Sequence, residues 1–242
     1  MRILIVNDDG INAKGIHLLA SWARKLGKVT VVAPKVEQSG KSRGINIITP
    51  FEIKKVDFMT GVEAYSVDST PADCVRVGVI SIGHDYDLVL SGMNRGFNVG
   101  RDIGYSGTAG AIMEACGHGY RGVAVSTRPD SMELAAEKYD DVMKFFIEND
   151  LLSLNPIYNV NIAPEAKSIR ITRQGGPYYC DDFVRQEGDM FLAQGKMVYV
   201  PGTDLNVDSH AIMNGHISVT PLPISTDFIV WRISFHGSWV AG

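Results

Sequence analysis

Four short segments carry residues whose types and spacing could do chemistry. In Asn7-Asp8-Asp9-Gly10 two carboxylates stand side by side. Such a pair repels, and when partly buried it takes up a proton unless a cation neutralises it. A hard divalent ion with oxygen ligands, Mg²⁺, Mn²⁺ or Ca²⁺, suits that position, although Asp-Gly is also a common turn pair. The loop Glu37-Gln38-Ser39-Gly40-Lys41-Ser42-Arg43-Gly44 combines small residues with two cations and could hold an anion. It is not a phosphate-binding P-loop, which would need glycine where Lys35 stands and would follow the first strand. In Ser91-Gly92-Met93-Asn94-Arg95-Gly96-Phe97-Asn98-Val99-Gly100, Asn94 and Asn98 are neutral oxygen donors, while the glycine spacing departs from the dinucleotide fingerprint. Finally, Tyr105-Ser106-Gly107-Thr108-Ala109 reads as a capped helix start. The N–H groups of Gly107, Thr108 and Ala109 and the Thr108 hydroxyl could bind phosphate there. Turns and ordinary capping account for each segment taken singly.

The elements around these segments give them a common position. Residues 3–6 form a continuous apolar run, as in a strand buried on both faces of a parallel sheet. Ile16, Leu19, Ala20, Ala23 and Leu26 recur at helical spacing, with Gly27 as the cap. Residues 29–33 predict a second buried strand, and Ser69-Thr70-Pro71 a helix start. Residues 88–90 and 123–126 are strand-like, 108–115 helix-like. Asp130 or Ser131 opens one long helix with Leu134, Ala135, Val142, Met143 and Phe146 on its apolar side. The alternation predicts an α/β fold with a Rossmann-like, doubly wound, mainly parallel sheet. Beyond Asn155-Pro156, residues 158–162, 168–172, 190–193 and 197–200 read as short hairpin strands. The expected organisation is a core over 1–155 carrying the site, with a C-terminal β-hairpin-rich extension over 156–242 that serves oligomerisation within the same domain.

Composition narrows the class. With 242 residues, 45% hydrophobic and 21% charged, the chain has the make-up of an ordinary globular protein. Its net charge of −4 provides no basic field for a nucleic-acid polymer or an anionic membrane. Three widely spaced cysteines, Cys74, Cys116 and Cys180, fit neither a disulfide framework nor a thiolate metal site. A soluble, cytoplasmic protein without a membrane span is expected. None of His17, His84, His118, His210, His216 and His236 forms the i, i+4 pair of a helical zinc site. The apolar run 231–235 and Trp239 read as a buried or subunit-facing strand.

Three of the four segments follow strands of one parallel sheet and the fourth comes soon after the third, so all can face one cleft. Paired carboxylates, neutral oxygens, a cationic loop and a helix N-terminus together suit metal-assisted hydrolysis of a phosphate ester. A phosphatase of the haloacid dehalogenase type would need Asp-x-Asp, whereas these acids are adjacent. A non-catalytic nucleotide- or phosphate-binding regulator using the same cleft is the alternative.

Taken in order, Asn7-Asp8-Asp9-Gly10, Gln38-Ser39-Gly40, Thr70-Pro71-Ala72-Asp73-Cys74-Val75, residues 91–100 and Tyr105-Ser106-Gly107-Thr108 closely resemble the SurE family of metal-dependent nucleotidases. Gly122-Val123-Ala124-Val125-Ser126, Asn159-Val160-Asn161-Ile162 and residues 215–222 resemble its later segments, so the likeness runs to about residue 222. The resemblance implies a phosphoric monoester hydrolase acting on nucleoside 5′- or 3′-monophosphates with one divalent metal ion per subunit, Mg²⁺ or Mn²⁺. Carried over by motif, the metal ligands fall on Asp8, Asp9, Ser39 and Asn94, and the catalytic carboxylates are Asp8 and Asp9. Gly40, Asn98, Ser106, Gly107 and Thr108 would line the phosphate and substrate site. It also implies a homodimer or homotetramer, with C-terminal elements exchanged in some members.

Overall fold

A computed structural model of the chain describes residues 1–83 and 85–223. The first half runs β1 (Arg2–Val6), α1 (Lys14–Ala23), β2 (Lys28–Pro34), β3 (Ile53–Lys55), β4 (Glu63–Val67), α2 (Pro71–Arg76), β5 (Leu88–Arg95) and α3 (Gly107–Gly117). Next come β6 (Gly122–Thr127), α4 (Met132–Ala136), α5 (Tyr139–Glu148), α6 (Leu151–Leu154), β7 (Ile157–Ile162) and β8 (Ile169–Ile171). The described chain ends with β9 (Tyr179–Arg185), β10 (Phe191–Met197), α7 (Asp208–Met213) and β11 (Ile217–Pro221).

Among the described residues the central sheet has nine strands in the order β3-β4-β2-β1-β5-β6-β7-β11-β8. From β4 to β7 every neighbouring pair is parallel. Its hydrophobic logic is alternation: Ile3 and Ile5 of β1 pack with α1 and α5, while Leu4 and Val6 join Cys74, Val75 and Ala111 of α2 and α3. The chain winds outward from β1 to β2 and β4, then crosses back to lay β5 on the other side of β1. The strand order therefore reverses between β1 and β5, where open α/β sheets form their ligand crevice. The expected Rossmann-like α/β architecture is present.

Several expectations change in detail. Residues 158–162 belong to no hairpin, because β7 is a parallel strand buried along its whole length beside β6. Its alternating Asn159 and Asn161 imitate a half-exposed strand, yet both asparagines are buried beneath the loop that follows β5. The one long helix is two: α4 stops at Ala136, Lys138 N turns back to Ala135 O, and α5 aims Tyr139, Val142 and Phe146 at the core. Gly27 caps no helix end, since α1 finishes at Ala23. There a Cβ would lie 2.0 Å from Met1 O, so that backbone contact is what needs glycine. Residues 168–172 belong to no hairpin either, because β8 runs parallel to β11 at the edge of the main sheet. The hairpin separate from that sheet pairs β9 with β10 over 179–197 instead of the expected 190–193 with 197–200, and residues 198–200 form no strand. His84, His236, the 231–235 run and Trp239 lie outside the described residues.

Candidate active site

β1 ends at Val6 and the chain turns at once. Buried Asn7 closes the turn on itself, donating through Nδ2 to Gly10 O (2.9 Å) and accepting from Gly10 N at Oδ1 (3.2 Å). Gly10 has φ +98°, a left-handed conformation open to glycine. The two carboxylates thus sit on a short, internally bonded loop at the switch point.

Asp8 is buried against the N-terminus of α3. Thr108 donates to it twice, from Oγ1 to Oδ1 (2.6 Å) and from N to Oδ2 (3.1 Å). Ser106 caps the helix by accepting from Ala109 N (3.1 Å). Close approach needs Gly107, since a Cβ there would lie 2.8 Å from Asp8 Cβ. Burial pushes the Asp8 carboxyl up to about 6, and the Asp9 charge adds to this while the Thr108 bonds oppose it. Asp9 is less buried and accepts Arg95 N (3.1 Å). Its pKa is raised too, by burial, with the Arg95 amide and guanidinium pulling the other way.

Hydrogen bonds bring the remaining segments to these acids. Gln38 N donates to Asp8 O (2.7 Å), which lays the Ser39–Gly40 turn beside β1. Ser39 is exposed and its Oγ donates to Glu37 Oε1 (2.7 Å). Arg43 reaches α3 instead, its Nε bonding to the buried Glu114 (2.7 Å), while Lys41 is exposed on the loop. Asn94, next to last in β5, spends its amide nitrogen on Gly96 O (2.8 Å), so Oδ1 is the atom it could offer a cation. Asn98 turns its side chain down to Ser126 Oγ (2.9 Å). Thr108, expected on phosphate, places both donors on Asp8, so Gly107 N is the first-turn amide that neither Asp8 nor the Ser106 cap occupies.

Several supporting residues carry no role in the sequence reading. Asn159 and Asn161 both donate to Asn98 O (2.8 Å each), and Asn161 Oδ1 accepts Asn98 N (2.9 Å). Buried Asp208 accepts the amides of Gly100 (2.8 Å), Gly175 (2.9 Å) and Ser209 (2.7 Å), fastening the end of the glycine loop to α7. Two asparagines on one face of a buried strand were the available signal. Asp208 had none, because Gly100 and Gly175 lie far away in sequence.

The donor set bears on a metal. Among the described residues no group of three or more His, Cys, Asp or Glu has metal-holding geometry. The site instead offers two adjacent carboxylates, both strained upward in pKa by burial, with the neutral oxygens of Ser39 and Asn94 on segments bonded to them. That set fits a hard divalent cation and not zinc.

Residues 3–181 match the family model described as survival protein SurE. The chain belongs to the SurE family. Among relatives, it is 36% identical to the 5′-nucleotidase SurE of Clostridium beijerinckii, over 95% of this chain and 96% of that protein. It is also 36% identical to the 5′-nucleotidase SurE of Stenotrophomonas maltophilia, over 100% and 96% respectively. Among solved structures, the SurE protein from Aquifex aeolicus superposes with a TM-score of 0.77 at 32% identity, covering 98% of this chain and 99% of that one. The SurE match spans the Asp8–Asp9 turn, the Ser39 loop, the Asn94–Asn98 loop and the start of α3.

Proposed function

We propose that this chain is a divalent-metal-dependent phosphatase that hydrolyses nucleoside monophosphates to nucleoside and phosphate. The observation that carries the reading is Asp8, buried at the N-terminus of α3, doubly bonded by Thr108 and adjacent to Asp9 at the switch point. SurE relatives named as 5′-nucleotidases support the substrate class.

Asp8, Asp9, Ser39 and Asn94 would hold one cation, Mg²⁺ or Mn²⁺. When bound, it supplies Lewis-acid charge to a phosphoryl oxygen. The chain's own groups do the rest. Thr108 fixes the Asp8 carboxylate in one orientation, and Asp8 is the catalytic carboxylate. Gly107 N, the Ser106 turn, Gly40 and the Asn98 loop receive the phosphate, with Lys41 as the exposed positive charge of the Gly40 loop. Asn159, Asn161 and Asp208 hold the Asn98 loop in place. A homo-oligomer, dimer or tetramer, completes the reading. It is supported by the β9–β10 hairpin, in which every residue is exposed. No helix among the described residues is long and apolar enough to cross a membrane.

The test is phosphate release from a panel of nucleoside 5′- and 3′-monophosphates with Mg²⁺, with Mn²⁺ and with excess chelator. Metal-dependent release that chelator abolishes is expected. Folded protein that binds nucleotide and releases no phosphate would make it a binding regulator instead.

A further inference from the structure

Arg95 and Pro129 line the cleft at Asp9, and they also line a neighbouring groove of about 480 Å³. The groove lies across the carboxyl ends of three consecutive strands. Phe97 follows β5, Arg128 and Pro129 follow β6, and Glu165 follows β7. Because β1, β5, β6 and β7 are neighbours, the groove begins one strand away from the Asp8–Asp9 turn. At roughly 4.8 Å per strand, the row from β1 to β7 spans about 14 Å. A phosphate alone would occupy only its first step.

The lining is what a flat heterocycle needs. Phe97 packs half-buried on the small apolar cluster that contains buried Tyr178. Tyr178 braces Tyr179 edge-on, the rings 5.1 Å apart and 76° inclined. Tyr179 is fixed from behind, its N donating to Asp102 Oδ2 (2.8 Å), and keeps half its surface exposed. Pro129 adds an apolar wall. At the rim, Arg128 and Glu165 pair at 2.8 Å and offer both donor and acceptor capacity to a base edge. The volume lies within the range of small-molecule sites, which are mostly apolar with a few placed polar groups.

We propose that this groove holds the nucleoside of the substrate, with the base against Phe97 and Tyr179 and its edge at the Arg128–Glu165 pair. The proposal rests on the phosphatase reading of the adjoining site and adds to it the place where a nucleotide is told from other phosphate esters.

The test compares kcat/KM for adenosine 5′-monophosphate with kcat/KM for glycerol 2-phosphate, which has no ring, in the parent, Tyr179→Ala and Tyr179→Phe. The nucleotide-to-glycerol ratio is expected to fall about tenfold in Tyr179→Ala, the order of loss of one stacked base. Tyr179→Phe keeps the ring and should keep the ratio. An unchanged ratio in correctly folded Tyr179→Ala overturns the groove assignment. If the parent releases phosphate from neither ester, the phosphatase reading fails instead, and the groove is judged by calorimetry with adenosine alone. Adenosine binding weakened about tenfold in Tyr179→Ala then supports the assignment, and absence of binding to the parent overturns it.

Discussion

Asp8 is held in a form that folding alone disfavours. Its carboxyl ordinarily ionises near 3.8, and burial pushes it up to about 6 in the metal-free fold. Between those values the folded state keeps a proton that the unfolded chain has released. Stability of the metal-free protein therefore falls as pH rises through this window. Asp8→Asn removes that loss. Expected at pH 7–8 in chelator is a variant more stable than its parent by up to about 3 kcal/mol, the two converging near pH 4 and the variant lacking turnover. Denaturant titrations across pH check this, and a gap that does not narrow toward acid contradicts it. Thr108→Val keeps the amide bond but removes the 2.6 Å hydroxyl bond to Asp8. Losing a hydrogen bond to a charged group predicts a kcat/KM drop of roughly 10- to 100-fold. Thr108→Ser should restore most of it, and full activity in the valine variant would show that Asp8 is oriented without Thr108. Asp8 and Asp9 were legible because adjacent acids after a buried run are a local pattern. The Thr108 partner was not, since the bond joins positions one hundred residues apart.

At the scale of elements, the site is a junction of β1, β5 and α3, and small residues set the spacing. α3 meets Asp8 through Gly107, where a Cβ would come within 2.8 Å of Asp8 Cβ and 3.1 Å of the Pro71 side chain. Gly107→Ala must push the helix start away from the turn. Its effect should be unequal: apparent metal affinity falls about tenfold or more, while the fold loses only ~1–3 kcal/mol. Metal titration beside thermal unfolding separates the two, and equal metal affinity would show that α3 does not set the Asp8 position. The junction itself could be read from sequence, because buried strands followed by polar glycine loops announce carboxyl-end sites in a parallel sheet. The Ser106 cap was equally local. β7 was misread because its asparagines face the Asn98 backbone, and a tertiary partner looks like solvent to any pattern based on alternation.

For the whole molecule, the β9–β10 hairpin is the part that a single chain does not explain. A two-stranded hairpin alone is marginal in water. Register places Phe191 opposite Arg185, Ala193 opposite Phe183 and Met197 opposite Tyr179. Opposed residues share a face, so Tyr179, Phe183, Phe191 and Met197 lie on one side. Tyr179, at the root, belongs to the nucleoside groove, and Phe183 and Phe191 toward the turn, exposed at 69% and 53%, are the part offered to a partner. Asp181 and Arg185 lie on the same side, so this exposed face mixes apolar and charged groups, and a second copy of the chain carries the same face for symmetric pairing. The root of the hairpin is tied to the site loop: Arg101 N donates to Gly176 O (3.1 Å), and Asp208 accepts both Gly100 N and Gly175 N. Covering the hairpin would thus steady the loop that carries Asn98. Phe183→Asp should lower the assembly to monomer by light scattering and, through the same ties, raise KM for nucleotide several-fold with a smaller change in kcat. A monomeric parent, or a Phe183→Asp variant that keeps the parent's mass, would remove this face from the assembly. A monomeric variant with unchanged KM would instead sever the hairpin from the site.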